Sequence, residues 1–313
     1  MAKRKPSDIN LLLAVDKPCG ITSHDAVARV RRALHERRVG HAGTLDPLAS
    51  GVMVMGVGQA TRLLGRITLD RKAYLARIAF GHETNTDDAE GEATRSVPCA
   101  AELSDPAFAR RVLAGFLGAQ QQVPPAFSAI SVDGVRSYKR ARAGEDVELP
   151  ARSIEVYAAE LIAIDGPLDA PAWTVSFEVS KGAYIRALAR DIGRAAGGAA
   201  HISALRRSCS GNISLGMCVQ LDDLTREVAC ERLLDPVAVL GLPAAELSDR
   251  ALDDVACGRP VPLDRVRPRA GAELPAGGCI ALTRAGALRA LAAPACGRLR
   301  MTDVFPQGIG GVL

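Results

Sequence analysis

The chain has 313 residues, 48% of them hydrophobic and 24% charged, with a formal net charge of +4. Apolar mass of this order excludes a disordered chain, and no apolar run approaches the ~20 residues that cross a bilayer. The basic start from Met1 to Pro6 is followed only by the short apolar run Leu11 to Val15, closed by Asp16-Lys17, which excludes a signal peptide. A cytoplasmic protein is expected, with about two domains at roughly 150 residues each.

The expected elements begin with a short buried strand at Leu11-Leu12-Leu13-Ala14-Val15, ended by Asp16-Lys17-Pro18-Cys19-Gly20. Thr22 or Ser23 can then cap a helix running to about Leu34, with Asp25 in its first turn. Val27, Val30 and Leu34 form its apolar stripe, and Arg29 and Arg32 lie together off that stripe. Val39 to Gly51 reads as a loop, and Val52-Met53-Val54-Met55 as a second buried strand. Tyr74, Ala76, Ile78 and Phe80 share one face of a strand from Lys72 to Phe80. Next come a polar, acidic loop from Gly81 to Glu92, a helix from Asp105 to Leu117, and a loop from Gln120 to Tyr138 around Pro124-Pro125. Trp173, Val175, Phe177 and Val179 mark another strand, and Gly182 leads into a helix carrying Ile185, Leu188, Ala189 and Ile192. Strands and helices without a regular βαβ rhythm point to an α+β fold rather than a doubly wound sheet. Past about Gly241, Ala, Gly, Pro and Arg dominate and the strands are short, as at Gly278 to Leu282. A boundary near 241–246 is therefore expected, separating residues 1–241 from a small β-rich domain over 242–313.

Charge is uneven along the chain. Residues 1–66 hold 11 Lys and Arg against 5 Asp and Glu, and Arg29, Arg31, Arg32, Arg37 and Arg38 sit within ten residues. The planar fork of arginine suits phosphate, so the cluster has the footprint of a nucleic-acid binder. A solvated helix face reads equally well from charge alone. Residues 221–313 balance at −1 and give no independent support for RNA binding there. The eight cysteines include no C-x-x-C pair and the five histidines no H-x-x-x-H spacing. Free thiols in a reducing compartment and no protein metal site are expected.

Two stretches carry candidate chemistry. Gly40-His41-Ala42-Gly43-Thr44-Leu45-Asp46-Pro47-Leu48-Ala49-Ser50-Gly51 frames one carboxylate, Asp46, with glycines and a following proline that biases it toward an extended conformation. Such a loop can present that carboxylate in a fixed direction; by itself it also reads as an ordinary Asp-Pro turn. Ser180-Lys181-Gly182-Ala183-Tyr184-Ile185-Arg186 lies at a strand-to-helix junction, where Arg186 could hold a carboxylate through charge-assisted hydrogen bonds or could be a surface residue of an amphipathic helix.

Together these stretches resemble the TruB family of tRNA pseudouridine synthases. Residues Gly43 to Gly51 match that family's catalytic motif almost letter for letter. Asp16-Lys17-Pro18 with Gly20 and Ser23-His24-Asp25 resembles its N-terminal signature, and Lys72-Ala73-Tyr74 its K-x-Y strand. Pro124-Pro125-Ala126-Phe127-Ser128-Ala129 and Gly134-Val135-Arg136-Ser137-Tyr138 resemble its insertion segment. The stretch Ser180 to Arg186 is similar to its late active-site motif, and His201-Ile202-Ser203-Ala204-Leu205-Arg206-Arg207 follows it. The matches run in order across about residues 11–210 and weaken after about Leu242. Two departures stand out: Thr84-Asn85-Thr86-Asp87-Asp88 where the family often has T-D-T-x-D, and Ser131 where a Lys is common.

The resemblance implies a pseudouridine synthase catalytic fold, with a mixed, largely antiparallel sheet, flanking helices and a C-terminal PUA-type RNA-binding domain. It implies isomerisation of uridine to pseudouridine at position 55 in the T arm of tRNA. Asp46 would be the catalytic carboxylate, Tyr74 would stack on the target base, Arg186 would pair with Asp46, and Tyr184 and Leu205 would line the pocket. His41 would occupy the space left by the flipped nucleotide, and Lys17 and Lys181 match basic or structural positions near the site. Arg29 and Arg32 are the candidates for RNA docking. The reaction needs no cofactor, metal or redox partner. It does need an ionised carboxylate and a base drawn out of its stack, at a few kcal/mol, which aromatic stacking at ~1–3 kcal/mol per base offsets. The partner expected is tRNA, with a monomer acting without an obligatory protein partner. Two other readings are an RNA-folding helper that binds the T arm, and the related guide-RNA-dependent synthase subunit of archaea and eukaryotes. Intact Asp46, Tyr74 and Arg186 argue against the former as the sole role, and the lack of a basic C-terminal extension against the latter.

Overall fold

The computed structural model describes residues 6–67, 70–128, 130–132, 134–145, 147, 149–269, 274–275 and 277–312. The basic start up to Lys5, and Ala129 of the insertion motif, lie outside the described residues.

Strand β1 (Leu11–Lys17) is buried along its whole length, so an unbroken apolar run serves it better than an alternating one. Helix α1 (Ser23–Leu34) opens on a capping box. In it Asp25 N donates to Thr22 Oγ1 at 3.1 Å and Thr22 N donates to Asp25 Oδ2 at 2.9 Å. Strands β2 (Val39–Ala42) and β3 (Ala49–Val57) form a hairpin with Val39 opposite Val57 and Ala42 opposite Val54. The loop expected over residues 39–51 therefore narrows to 43–48. Both of its ends become strand because they find ladder partners that no local pattern reveals.

Strand β4 (Arg71–Phe80) buries Tyr74, Ala76, Ile78 and Phe80, as its alternation requires. The acidic loop contains β5 (His82–Thr84), which pairs with β6 (Ala93–Ser96). Helix α2 (Pro106–Ala114) is capped by Asp105 and starts on Pro106, whose missing N–H costs nothing at that position. The region read as a loop from Gln120 to Tyr138 holds the end of β7 (Gly118–Gln122), β8 (Ser131–Val132), β9 (Val135–Arg136) and the start of α3 (Ser137–Arg142). Then come the hairpin β10 (Arg152–Asp165) and β11 (Ala172–Ser180), helix α4 (Ile185–Ala195) and β12 (Ala200–Ser210). Short elements follow: β13 (Ile213–Ser214), β14 (Val219–Gln220), α5 (Arg226–Glu231), β15 (Leu233–Leu234) and α6 (Pro236–Leu240). The last are β16 (Ala244–Leu247), α7 (Asp249–Ala256), β17 (Val261–Pro262), β18 (Val266–Pro268), β19 (Ile280–Arg284), β20 (Ala287–Ala295) and β21 (Arg298–Gly310). The chain is thus α+β with a β-rich C-terminal part. No helix among the described residues is long and apolar enough to cross a membrane.

By contact the chain divides into two compact units, and neither is one continuous stretch. One unit holds residues 46–51 and 69–211. In it β12, β4, β11, β10 and β7 lie side by side and antiparallel, and residues 49–51 of β3 run parallel to β12. Helix α4 packs on β12 and β4, and α2 on β10. Trp173, fully buried on β11, donates from Nε1 to Leu103 O at 2.7 Å, which satisfies its one polar atom.

The other unit holds residues 1–45, 52–68 and 212–313. In it β1 pairs with β14, parallel, through Val15 and Asp16, and with β15, antiparallel, through Leu12 and Leu13. A six-stranded sheet in the order β17-β21-β20-β19-β16-β18 closes on a core that includes Leu247, Val255, Ile280, Leu282 and Leu299. Polar bonds tie β21 to residues 59–66. Arg62 Nη1 donates to Val304 O at 2.7 Å, Arg62 and Arg66 both pair with Asp303, and Gln59 donates to Gln307 at 2.5 Å.

Gly51 shows how closely β3 and β12 approach. Its φ is +109°, and a Cβ there would collide with the Arg207 carbonyl oxygen and lie 2.8 Å from Arg207 N. Gly51→Ala should therefore destabilise the protein by about 2–4 kcal/mol, from backbone strain plus overpacking. Urea unfolding of variant and parent checks this, and a midpoint equal to the parent's would show that the two strands separate without cost.

Candidate active site

The site is built on three adjacent strands and the start of one helix. Asp46 sits in the 43–48 loop, where Ala49 N donates to Asp46 O at 3.1 Å and turns the chain into β3. Parallel pairing with β12 sets Leu205 opposite Ala49 and Arg207 opposite Gly51. On the other side of β12, antiparallel β4 sets Ala76 opposite Leu205 and Tyr74 opposite Arg207. Residues directly opposite one another share a face, so Tyr74 and Leu205, both buried, lie on one face of the sheet.

Arg186, in the first turn of α4, reaches the Asp46 loop. Its Nε lies 2.9 Å from Asp46 Oδ2, its Nη1 donates to Thr86 O at 2.6 Å, and its Nη2 donates to Phe127 O at 3.0 Å. Asp88 Oδ2 stands 3.5 Å from Nη1. The side chains of Arg186 and Asp88 are each only 5% exposed, whereas that of Asp46 is 37% exposed. A guanidinium taken out of water needs compensation on every side. Here two carbonyls and two carboxylates supply it, and Asp46 is the one carboxylate of the two that still faces outward.

The 84–92 loop that grips Arg186 is itself fixed. Thr84 Oγ1 donates to Asp88 O at 2.6 Å, Thr86 Oγ1 to Asp88 Oδ1 at 2.6 Å, and Glu90 N to the same Oδ1 at 3.1 Å. Its backbone also bonds to Ile202 of β12, through Ile202 N to Asp87 O at 3.1 Å and Ala89 N to Ile202 O at 2.9 Å. Asn85 Oδ1 accepts from Glu92 N at 3.0 Å, a bond that an Asp carboxylate at that position would also make.

The remaining candidates lie in different surroundings. Tyr184, half-buried, immediately precedes α4. Lys181 is exposed and pairs with Asp70 at 2.7 Å. Lys17 is fully buried, and its Nζ donates to Pro18 O and Ile21 O, each at 2.8 Å. His41 is on β2, its ring 6.4 Å from that of His24 in an edge-on arrangement. Arg29 is half-exposed and pairs at 3.1 Å with Asp222, while Arg32 is exposed. Sequence reasoning missed three contributors. Asp88 holds Arg186, Arg190 pairs with Asp87 at 2.9 Å, and the hydroxyl of Ser23 clasps the peptide of Leu45, accepting from its N at 2.9 Å and donating to its O at 2.8 Å. Arg190 carried a usable signal, being one helical turn beyond Arg186 on the same face.

Burial and charge shift several groups. Burial pushes the Asp87 carboxyl up to about 6, outweighing the lowering effect of Arg190 and Arg186. Glu83 moves the other way, because hydrogen bonds from Arg194 to both its oxygens, at 2.9 and 2.6 Å, favour the ionised form. Burial lowers the Lys72 ammonium to about 8, with a smaller contribution from the charge of Arg207. Among the described residues no three His, Cys, Asp or Glu side chains cluster as metal ligands would.

Comparison with known proteins gives a consistent result. Residues 31–185 match the model of the TruB family pseudouridylate synthase N-terminal domain, and residues 186–239 that of the tRNA pseudouridylate synthase B C-terminal domain. The chain is 44% identical over 251 residues to the tRNA pseudouridine synthase B of Mycobacteroides abscessus, covering 80% of this chain and 84% of that one. It is 46% identical over 242 residues to the protein of the same name from Thermobifida fusca, covering 76% of this chain and 81% of that one. Among solved structures, a chain of an archaeal box H/ACA sRNP complex superposes with a TM-score of 0.63 at 25% identity, over 94% of this chain and 85% of that one.

The Asp87 shift has a consequence for stability. Its folded value lies above its ordinary 3.8, so the folded state holds a proton that the unfolded chain has released between about pH 4 and 6. This group's contribution is complete below that window and is lost as the pH rises through 6. Unfolding free energies of parent and Asp87→Asn, compared from pH 4 to 7, should diverge across this interval, the parent losing stability relative to the variant. A constant difference would show that folding leaves the Asp87 carboxyl at its ordinary value.

Proposed function

The chain belongs to the TruB family of pseudouridylate synthases and is an isomerase that makes pseudouridine in tRNA; on that premise we propose that its target is uridine 55 in the T arm, with Asp46 as the reacting carboxylate. The observation that carries the assignment is the asymmetry around Arg186, where Asp88 is closed off and Asp46 remains accessible. A substrate can reach only the accessible carboxylate, and Arg186 opposite it holds the carboxylate's direction.

The isomerisation breaks the bond between C1′ and N1, turns the uracil, and forms a bond between C1′ and C5, the proton on C5 leaving as N1 gains one. A carboxylate as nucleophile or base is the group this needs. The uracil must leave its stack to reach Asp46, at a few kcal/mol. The ring of Tyr74, on the same sheet face as Leu205, offers the stacking partner that offsets this. Lys17, whose ammonium is consumed by backbone carbonyls, is assigned a structural role. His41 is assigned the space vacated by the flipped nucleotide. Residues 242–313 are assigned to RNA binding as a PUA-type module, a reading supported by the exposed Arg267, Arg298 and Arg300 on its strands β18 and β21.

Arg29 and Arg32 are assigned to docking the RNA backbone. The ion pair between Arg29 and Asp222 is no obstacle, because Asp222 is 86% exposed and such surface pairs contribute ~0–1 kcal/mol. A phosphate can replace that carboxylate at small cost.

Incubating the purified chain alone with a T-arm stem-loop and mapping pseudouridine tests the function directly; product at another uridine, or none, would overturn the site assignment. Asp46→Asn should abolish isomerisation while tRNA binding stays within about tenfold, ~1.4 kcal/mol. Turnover comparable to the parent's, in a variant with the parent's thermal unfolding, would remove Asp46 from the chemistry.

The docking reading makes a separate prediction. Changing Arg29 and Arg32 together to Glu should weaken tRNA binding and flatten its salt dependence, by roughly 0.7–0.9 in the logarithmic slope per lost phosphate contact. Turnover at saturating tRNA should change little, because phosphate contacts position the substrate. Coincident slopes across a salt series would show these arginines to be a solvated face.

A further inference from the structure

Helix α4 begins in an unusual way. Its capping position is Tyr184, in an extended conformation with φ −104° and ψ 111°, and the side chain of Tyr184 makes no capping hydrogen bond. Capping positions favour Ser, Thr, Asp or Asn, whose short side chains fold back onto the first amides of the helix. A tyrosine whose ring lines a substrate pocket cannot do that, so another group must hold its backbone.

Gln122, at the end of β7 and 62 residues away in sequence, does so. Its Oε1 accepts from Tyr184 N at 2.9 Å and its Nε2 donates to Tyr184 O at 3.1 Å. In an extended residue the N–H and C=O point to the same side, so one primary amide can engage both, as a neighbouring strand would. Only one orientation of the amide meets both demands, since the backbone N–H needs an oxygen and the carbonyl needs an N–H. Gln122 is 1% exposed, so the pair of bonds is shielded from competing water; Tyr184 O also accepts from Leu188 N at 3.1 Å, so loss of the amide would leave Tyr184 N as the unmet group.

The same segment grips α4 at two further places. Arg186 Nη2 donates to Phe127 O at 3.0 Å, and Arg190 Nη2 donates to Val123 O at 2.9 Å. Residues 122–127 thus hold the helix at 184, 186 and 190, and of these three contacts the one at Gln122 depends on a side chain of the segment rather than its backbone. It is also the contact that reaches the backbone of Tyr184, two residues before Arg186.

We propose that Gln122 is a positioning residue for the isomerisation, its amide clasping the Tyr184 backbone so that the Tyr184 ring and the Arg186 guanidinium are aimed at the Asp46 site. This rests on the roles given above to Tyr184 and Arg186. Gln122 touches no substrate; it acts through the orientation of α4.

Two variants of the full chain test it, with a T-arm stem-loop as substrate. Gln122→Met keeps the length of the side chain and removes both bonds. Gln122→Glu keeps the acceptor for Tyr184 N, but while ionised it sets an oxygen against Tyr184 O; protonation restores a donor there. For Gln122→Met, kcat should fall about tenfold or more, as misplacement of catalytic groups predicts, while KM stays within about threefold. For Gln122→Glu, the deficit in kcat relative to the parent should shrink as the pH falls from about 8 to about 5.5, because burial at this position raises a carboxyl above its ordinary range. A role confined to stability would lower the unfolding temperature without that recovery. Should Gln122→Met fail to fold, the pH profile of Gln122→Glu decides. A kcat within about twofold of the parent in folded Gln122→Met, or a deficit in Gln122→Glu that does not vary with pH, overturns the proposal. Arg186→Lys separates the two levels of argument. If it is impaired and Gln122→Met is not, only the positioning role falls; if Arg186→Lys turns over like the parent, the assignment of the site falls with it.

Discussion

The burial of one positive charge, that of Arg186, organises the unit that holds β4, β11, β12 and α4. The guanidinium of Arg186 is almost completely out of water, in a place where an uncompensated charge would cost several kcal/mol. Its compensation comes from three separate segments: the 43–48 loop through Asp46, the 84–92 loop through Thr86 O and Asp88, and the 122–127 segment through Phe127 O. None of these segments is regular structure at the point of contact. Each is held in place because releasing it would strand a buried ion, so the charge that orients Asp46 also rigidifies the loops around it.

The same requirement explains the rest of the loop chemistry. A buried Arg needs carbonyls that do not move, and the 84–92 loop that supplies Thr86 O is fixed by the bonds of Thr84, Thr86 and the Glu90 amide to Asp88 and by its backbone bonds to Ile202. Asp87 is the cost of that geometry. It takes a left-handed φ of 59° and sits buried beside Arg190, with its ionised form disfavoured by the loss of water. The close approach of β3 to β12 at Gly51 is a second constraint of this kind, since the direction of the Asp46 loop follows from where β3 is held.

Outside this centre the electrostatics are of another sort. Arg29, Arg32 and the arginines of the C-terminal sheet are in contact with water, so their pairings are weak and exchangeable. On the docking proposed above, such pairs give way to phosphates at small cost. Binding free energy gathered at such a surface is useful to the chemistry only if the substrate meets groups that are already oriented. On the proposed function, the contrast between exposed, replaceable arginines and the buried, fixed Arg186 is the physical form that requirement takes.

Much of this was legible in the amino-acid sequence. The alternation of Tyr74, Ala76, Ile78 and Phe80, a helix capped at Thr22 or Ser23 and the apolar run of β1 are local signals, and local rules read them, the structure choosing Thr22 as the cap. Asp46 and Arg186 were recognisable as candidates from the glycine-framed loop, the strand-to-helix junction and the family resemblance. What residues 39–42 and 49–51 would do was not legible, because their partners are Val54 to Val57 along the hairpin and Leu205 to Arg207 over 150 residues away. Nor was the service of Asp88 to Arg186 and of Ser23 to Leu45, partners brought near only by folding; Arg190 was marked by its place one turn beyond Arg186, but its partner Asp87 was not. The sequence by itself determined which residues could carry the charge and the carboxylate. Only the tertiary structure decided that Arg186 is buried, that Asp46 is the accessible carboxylate beside it, and which carbonyls share the charge. Burial and hydrogen-bond partners depend on the three-dimensional surroundings, and those are assembled from segments whose meeting leaves no mark in either one alone.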